Sequence, residues 1–241
     1  MPGVPKFFLV DTPGFDDTNR SDSDVLRELA KYLAKAYEYN ILLTGLIYLH
    51  RIMDNRFTGA SGRNLRTFKK LTGEENLESV VLGTTFWKQP LSNDDVERET
   101  QLNTDPSLGW ARMLEQGARA MRQDRGNSSG EGIIRHLIDR RKDRGEPVVL
   151  KLQRQLVDEG RELADTSAGA ELIVEMRKMH EKQMARLRKD MLDAMEDRDR
   201  AWQRQIAEQQ AEFQRLFSRD ERMRYGLRQR VRDWLDDCII M

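Results

Sequence analysis

The chain contains a single cysteine, Cys238, among its 241 residues. An internal disulfide needs two cysteines and a cysteine-cluster zinc site needs several, so both are excluded. The three histidines are scattered along the sequence and suggest neither a metal cluster nor a catalytic triad. The sequence therefore predicts no enzyme of the cysteine–histidine or zinc type.

Long apolar runs are also missing. No stretch reaches the roughly 18 consecutive apolar residues that a membrane-spanning helix requires. The start of the chain, MPGVPKFF, lacks the apolar core and cleavage site of a secretory signal. We therefore expect a cytoplasmic protein that neither spans a membrane nor is secreted.

Neither sign of charge is in excess, because 41 acidic residues balance 41 basic ones. Net charge thus points to neither an acidic partner nor a nucleic acid, and no nucleic acid is expected. With 38% hydrophobic and 34% charged residues, the composition is polar for one compact globule of this length. We expect one ordinary domain followed by an extended segment.

A short apolar run, Phe7 to Val10, is followed directly by the sequence Asp-Thr-Pro-Gly. The run predicts a buried strand, and the four residues after it predict a loop. Ligands of open α/β sheets bind at the carboxyl ends of strands, where Asp11 can hold Mg²⁺ through water. Thr12 lies in the same loop, and the backbone N–H of Gly14 can approach a phosphate. An ordinary strand-to-turn junction is the alternative.

The next hundred residues alternate between helical and strand patterns. Residues 21–24 predict a capping box for a helix that reaches Ala36. Strands are predicted at 42–49 and 79–85, with a polar loop at 54–63 and a short helix closed by Gly73 between them. This alternation predicts parallel βαβ units.

The patterns continue less regularly after the third strand. Residues 90–116 predict a loop and a helix, residues 118–121 a short strand, and residues 127–130 the start of another helix. The range 148–164 is predicted to be helical.

Three stretches carry a resemblance to a known family. They are the extended loop DTPGFDD, the sequence LIYLHRIMDNRFTGASGRNLRTFKKL and the sequence VVLGTTFW. Together they resemble P-loop GTPases, most closely the septin and immune-associated (avirulence-induced) GTPases and their fungal relatives. The resemblance implies an α/β domain over residues 1–145, with an incomplete P-loop NTPase-type parallel sheet flanked by helices. It also implies GTP and Mg²⁺ as ligands, with Ser128 and Ser129 on the base side. A simple helix-capping role for these serines is the alternative.

The phosphate-binding sequence Gly-x-x-x-x-Gly-Lys-Ser/Thr of this family does not occur in the chain. The sequence begins where the family's third strand begins, so we expect an N-terminally truncated member. Its central strand would be missing from between residues 7–10 and 42–49, leaving two apolar edges.

Two further departures concern catalysis and base recognition. Phe15 follows Gly14 where related enzymes place a water-orienting Gln, which argues against fast hydrolysis without a partner. The guanine-reading Asn/Thr-Lys-x-Asp is also absent after the third strand. Thr85 and Trp87 are candidates to border a purine, one by a hydrogen bond and one by stacking. The alternative for Trp87 is packing under a loop.

The range 146–217 is predicted to form a helical extension. Between Glu171 and Phe217 there is neither proline nor glycine, and a sparse apolar stripe runs through charges of both signs. The stripe predicts one long helix, either in a coiled coil that makes a homo-oligomer or folded back on the domain. A solvated helix without a partner is the remaining alternative.

The last segment, 218–241, ends in Cys238-Ile239-Ile240-Met241, which matches the farnesylation pattern. A basic amphipathic stretch, Arg222–Arg232, precedes it and suits an anionic membrane surface, although two aspartates lie between. We expect a prenylated protein held at a membrane face; a simple apolar tail is the alternative.

Two functions follow from these observations. The first is a GTP-binding protein that acts as a nucleotide-dependent switch or assembly protein. The second is a non-catalytic, membrane-tethered coiled-coil scaffold with a vestigial G domain. Family resemblance suggests GTP hydrolysis, but the missing phosphate-binding sequence predicts that the chain alone is inactive.

Overall fold

The computed structural model describes residues 6–15, 20–54, 59–196, 202–216 and 218. The protein is an α/β structure in which helices flank a small parallel sheet. Its residues form two compact units. Among the described residues, the first contains those from 6 to 161 and 166–168, and the second contains 162–165 and those from 169 to 218.

The helices and strands follow one another in this order: α1 Asp22–Glu38, β1 Leu46–Arg51, α2 Gly59–Thr72, β2 Val80–Thr85, α3 Asn93–Thr104, α4 Trp110–Glu115, β3 Arg119–Arg122, α5 Asn127–Arg144, α6 Lys151–Gln153, α7 Ser167–Glu196 and α8 202–216. The strands lie in the order β1-β2-β3 and are all parallel. The predicted parallel sheet with flanking helices is confirmed at this level.

Side chains alternate between the two faces of the sheet, and each face has its own core. On one face, Tyr48 and Leu82 pack with Trp110 of α4. On the other face, Val81 packs with Ile133 and Leu137 of α5. Because β2 is covered on both faces, its apolar residues Val80, Val81 and Leu82 are consecutive and do not alternate with polar ones.

Helix α1 begins as the capping pattern predicts. Ser21 is the N-cap residue, and its Oγ accepts a hydrogen bond from the backbone N–H of Asp24 at 3.2 Å. The helix buries its apolar face, and Gln153 of α6 is hydrogen-bonded to it. The Gln153 amide is fully buried, donates to the Leu33 carbonyl at 2.9 Å and accepts from the Leu150 N–H at 2.9 Å.

The predicted strand at Phe7–Val10 is wrong. These residues have no regular secondary structure and are exposed. A strand exists only where a neighbour pairs with its backbone groups, and the described sheet ends at β1. The apolar residues of this segment favour a strand, but they do not supply the neighbouring strand that it would have to pair with.

Two other local predictions are corrected. The predicted loop at 54–63 is already helical from Gly59 onward. The predicted helix at 148–164 is interrupted: α6 ends at Gln153, and a π-helical turn follows at Arg154–Asp158. Gly160 then adopts a φ of 62°, a left-handed conformation that stops a right-handed helix.

The prediction of one continuous helix from about 170 to 217 is also wrong. Within the second unit, α7 and α8 pack side by side, with Met184 and Leu187 against Ile206. The His180 and Phe213 rings stack at 5.2 Å between centroids, whereas 33 positions of a straight helix would separate them by about 50 Å. Since later residues of α7 meet earlier residues of α8, the two helices run antiparallel. None of the helices that the structure describes has the length and apolar composition to cross a membrane.

Candidate functional site

The carboxyl ends of the three parallel strands meet at one edge of the sheet. Arg51, Thr85 and Arg122 are the last residues of β1, β2 and β3. In open α/β sheets this edge is where ligands bind, because the loops that leave the strands form a crevice there. The side chains of this edge are therefore the candidate functional site.

Phe86 is the most unusual residue at this edge. It follows β2 directly, has a φ of 60° and leaves 58% of its side chain exposed. The guanidinium carbon of Arg51 lies 4.6 Å from the centre of its ring. A bulky residue rarely adopts positive φ, and such backbone strain concentrates at functional sites. The result is an aromatic surface that faces solvent beside a cation.

Trp87, by contrast, lies inside the protein. Only 8% of it is exposed, and its Nε1–H donates to the carbonyl and hydroxyl oxygens of Thr84 at 3.1 and 3.2 Å. The guanidinium carbon of Arg122 lies 4.4 Å from its ring centre. The Thr85 hydroxyl donates to the His50 carbonyl at 3.2 Å. Both predicted purine contacts thus have partners within the protein.

The backbone conformation of Phe86 explains why Phe86 is exposed and Trp87 is buried. Continued strand alternation would point residue 86 to the same face as Leu82, towards Trp110, and would point residue 87 to the opposite face. The positive φ of Phe86 reverses that order, so Trp87 joins the core around Trp110 and Phe86 turns outward. Phe86 is not predictable from the sequence, because the residue pattern contains no signal for a positive φ at a non-glycine residue.

An ion pair holds α3 against the end of β3. Arg122 Nε donates to both carboxylate oxygens of Glu99, at 2.8 and 3.0 Å, and its Nη2 also donates to Oε2. The hydrogen bond with Glu99 is the main cause that raises the pKa of Arg122. The pair therefore also holds the Arg122 guanidinium over the Trp87 ring.

A second ion pair lies within α3, between Asp95 and Arg98, and its arginine also reaches the residue that follows β1. The Asp95 carboxylate is fully buried and accepts from Arg98 Nη1 at 2.8 Å. Arg98 Nη1 also donates to the Ile52 carbonyl at 3.5 Å. The helix that follows β2 is therefore attached to the segments that follow β1 and β3.

Ser128 and Ser129 close the loop at the start of α5. Ser129 Oγ accepts from the Arg125 N–H at 3.1 Å and donates to the Gly126 carbonyl at 3.0 Å. Ser128 Oγ donates to the Arg125 carbonyl at 3.4 Å. These hydrogen bonds tie both serines to the turn that leads into α5, whose N-cap residue Gly126 makes no side-chain cap hydrogen bond. The base-side role of the two serines stays a prediction.

Asp11, Thr12 and Gly14 lie exposed in a segment without regular secondary structure. The end of that segment is attached to α2, because Asn64 Nδ2 donates to the Phe15 carbonyl at 3.4 Å. Among the described residues, no group of three or more His, Cys, Asp or Glu side chains is placed to hold a metal ion. The role of Asp11 with Mg²⁺ stays a prediction.

His50 makes the first unit sensitive to pH. Burial lowers the pKa of its imidazole below the ordinary value of 6.5, and the Asp54 carboxylate raises it by less. The unfolded chain therefore takes up this proton first as the pH falls. The neutral, buried His50 imidazole therefore leaves the folded first unit at full stability above about pH 6.5, and the first unit loses stability as the pH falls below that value.

We expect urea denaturation to show a lower free energy of unfolding at pH 5 than at pH 7. The variant His50→Gln should depend less on pH. Burial also lowers the pKa of the half-buried His136, so His136→Gln should reduce the pH dependence as well, but by less than His50→Gln does. An unchanged pH dependence in His50→Gln would contradict the assignment.

Cys238 and the range Arg222–Arg232 lie outside the residues that the structure describes, so lipidation and membrane contact stay predictions. No protein-family model, no curated protein and no solved structure matches the chain. The functional assignment thus depends on the geometry of the carboxyl edge and on the motifs of the sequence.

Proposed function

We propose that the first unit is a guanine-nucleotide-binding domain of the P-loop GTPase type that lacks the phosphate-binding sequence. The observation that carries the proposal is Phe86, an exposed aromatic residue held in a strained conformation at the carboxyl edge of the central strand. A nucleotide base stacks well on such a ring, and the neighbouring Arg51 adds a positive charge for a phosphate. Phe86 takes the stacking role that the sequence analysis assigned to Trp87.

The order of the elements supports the same proposal. A parallel sheet with a helix after each strand is the arrangement that binds nucleotides at its carboxyl edge. The sequence Asp-Thr-Pro-Gly at 11–14 adds the motif that holds Mg²⁺ and approaches the γ-phosphate in the family that the chain resembles. GTP and Mg²⁺ are therefore the proposed ligands.

The phosphate side of the domain limits the expected affinity. The backbone N–H groups and the lysine of the phosphate-binding sequence supply most contacts with the β- and γ-phosphates, and this chain contains no such sequence. Phe15 follows Gly14, so fast hydrolysis is not part of the proposal. We expect Mg-GTP to bind weakly, mainly through its base.

The test is a titration of the chain with Mg-GTP, followed by backbone amide shifts in an NMR spectrum. We expect a dissociation constant in the high micromolar to millimolar range and shifts at residues 84–88. Phe86→Ala should weaken binding about fivefold, equivalent to about 1 kcal/mol of stacking. Tyr39→Ala removes another exposed aromatic ring, 63% accessible, and should leave the affinity unchanged.

Asp11→Asn tests the metal side separately, because it should reduce the Mg²⁺ dependence of binding. Submicromolar affinity in calorimetry would contradict the argument from the missing phosphate-binding sequence. Absence of any shift at the carboxyl edge would refute nucleotide binding at this site.

A scaffold is the second candidate function. The second unit contains the antiparallel pair of α7 and α8, and it exposes Leu192, Trp202 and Leu216. Exposed apolar residues on a helical pair favour association with another helical surface. With farnesylation at Cys238, such a pair would serve a membrane-tethered, cytoplasmic scaffold.

A further inference from the structure

Strand β1 forms one edge of the sheet, and half of its backbone groups point away from β2. The N–H of Ile52 donates to the Thr85 carbonyl at 2.9 Å, which shows that residue 52 faces β2. Backbone direction alternates along a parallel strand, so the N–H and C=O groups of Ile47, Leu49 and Arg51 face outward. In the part of the chain that the structure describes, no strand pairs with them.

The same unit contains an extended apolar segment that is also without a strand partner. Phe7, Phe8, Leu9 and Val10 are 39%, 93%, 67% and 49% exposed. Four adjacent large apolar side chains at the surface are rare in a soluble monomer and mark an interaction site. Their aromatic and β-branched character also favours a strand conformation.

We propose that Phe7–Val10 of one copy of the chain pairs with the outer edge of β1 in a second copy, and that the pairing is reciprocal. One molecule contains both halves of this contact: an exposed apolar segment and a strand edge, neither of which pairs with a strand among the residues that the structure describes. A two-fold symmetric dimer satisfies both edges at once.

Charge selects a parallel orientation. With Leu9 opposite Leu49, a parallel strand places Asp11 of the partner subunit next to Arg51, and opposite charges across strands stabilise pairing. An antiparallel strand would bring the partner subunit's Lys6 towards Arg51 instead, which is unfavourable. The parallel register also leaves the carboxyl ends of all strands at the same edge.

The size of the contact is sufficient for a stable dimer. An aromatic side chain buries about 150–250 Å² when covered, so the exposed parts of the four residues bring on the order of 400 Å² to each contact. The receiving edge loses a similar area. Two reciprocal contacts reach on the order of 1,600 Å², which is the size of a standard specific interface.

The pairing would also complete the candidate site. In the single chain, Asp11 lies in an exposed segment away from regular structure. In the dimer, Asp11 of the partner subunit reaches the carboxyl edge that carries Arg51 and Phe86. The dimer itself does not depend on nucleotide binding, whereas this completion of the site rests on the proposed function.

The first experiment is sedimentation equilibrium of the full chain. We expect a dimer for the unchanged protein and a shift to monomer for Phe8→Glu, whose side chain has almost no contacts to lose in the monomer. Tyr39→Glu places the same charge at another exposed aromatic position and should remain dimeric. An unchanged protein that is monomeric, or a dimer that survives Phe8→Glu, would overturn the proposal.

The second experiment fixes the register by disulfide formation in a Cys238→Ser background. Leu9→Cys combined with Leu49→Cys should give a covalent dimer under mild oxidation. Phe8→Cys combined with Leu49→Cys should not, because adjacent residues of a strand point to opposite faces. Equal cross-linking of both pairs, or a disulfide within one chain, would refute the pairing. A covalent dimer that binds no GTP would refute only the nucleotide proposal.

Discussion

Trp110→Ala should lower the free energy of unfolding of the first unit by about 3–5 kcal/mol, the usual cost of removing a large aromatic side chain from a core. Trp110 is fully buried, and its ring meets Tyr48 and His50 edge-on at 6.1 and 5.9 Å between centroids. Its Nε1–H donates to Asn103 Oδ1 at 3.1 Å, so the variant also leaves an amide oxygen without its donor.

Urea denaturation followed by far-ultraviolet circular dichroism measures this loss. Trp110→Phe keeps most of the ring and should cost clearly less than Trp110→Ala. Phe86→Ala is the control for an exposed aromatic residue and should change stability by less than about 0.5 kcal/mol. A loss below about 1 kcal/mol in Trp110→Ala would show that α4 does not hold the sheet.

Arg98→Ala should be the second strongest change, with a loss of about 3 kcal/mol. The variant removes the cation from Asp95, whose carboxylate has no exposure to water and would remain as an uncompensated buried charge. It also removes the donor that lies 3.5 Å from the Ile52 carbonyl, whereas the packing of Leu102 with Ile52 remains.

A double-mutant cycle separates the ion pair from the rest of the site. Asp95→Ala combined with Arg98→Ala should cost less than the two single changes added together, because no buried charge is left behind. Arg27→Ala breaks a similarly spaced pair with Asp24 on the half-exposed start of α1 and should cost under about 1 kcal/mol. Additivity of the Asp95 and Arg98 variants would mean that the pair has no energetic coupling.

Prediction from sequence succeeded where the determining contacts are local or where burial is complete. The cap at Ser21 and the apolar spacing that follows it specify α1 without help from the rest of the chain. The consecutive apolar residues Val80, Val81 and Leu82 result from burial of β2 on both faces, and the predicted strand at 79–85 agrees with Val80–Thr85. The strand predicted at 42–49 is shifted because Leu43 pairs with Val148 instead of joining the sheet.

The candidate site was less predictable because its geometry depends on one backbone angle. The sequence predicts base contacts at Thr85 and Trp87, one position on either side of Phe86. Only the positive φ of Phe86 moves Trp87 into the core and turns the Phe86 ring to solvent. Sequence periodicity assumes that φ keeps its sign, so it cannot predict this exchange.

By itself, the sequence determined the parallel α/β character of the first unit and the helical character of the second, since both follow from periodicity, caps and turn residues. Tertiary structure decided which of these segments have partners. Phe7–Val10 is not a strand in the single chain because no described strand lies beside it. Residues 167–196 and 202–216 pack as two helices because Leu187 and Ile206 bury each other. Pairing of backbone groups and burial of apolar side chains depend on residues far apart in the chain, and a local pattern contains no information about them.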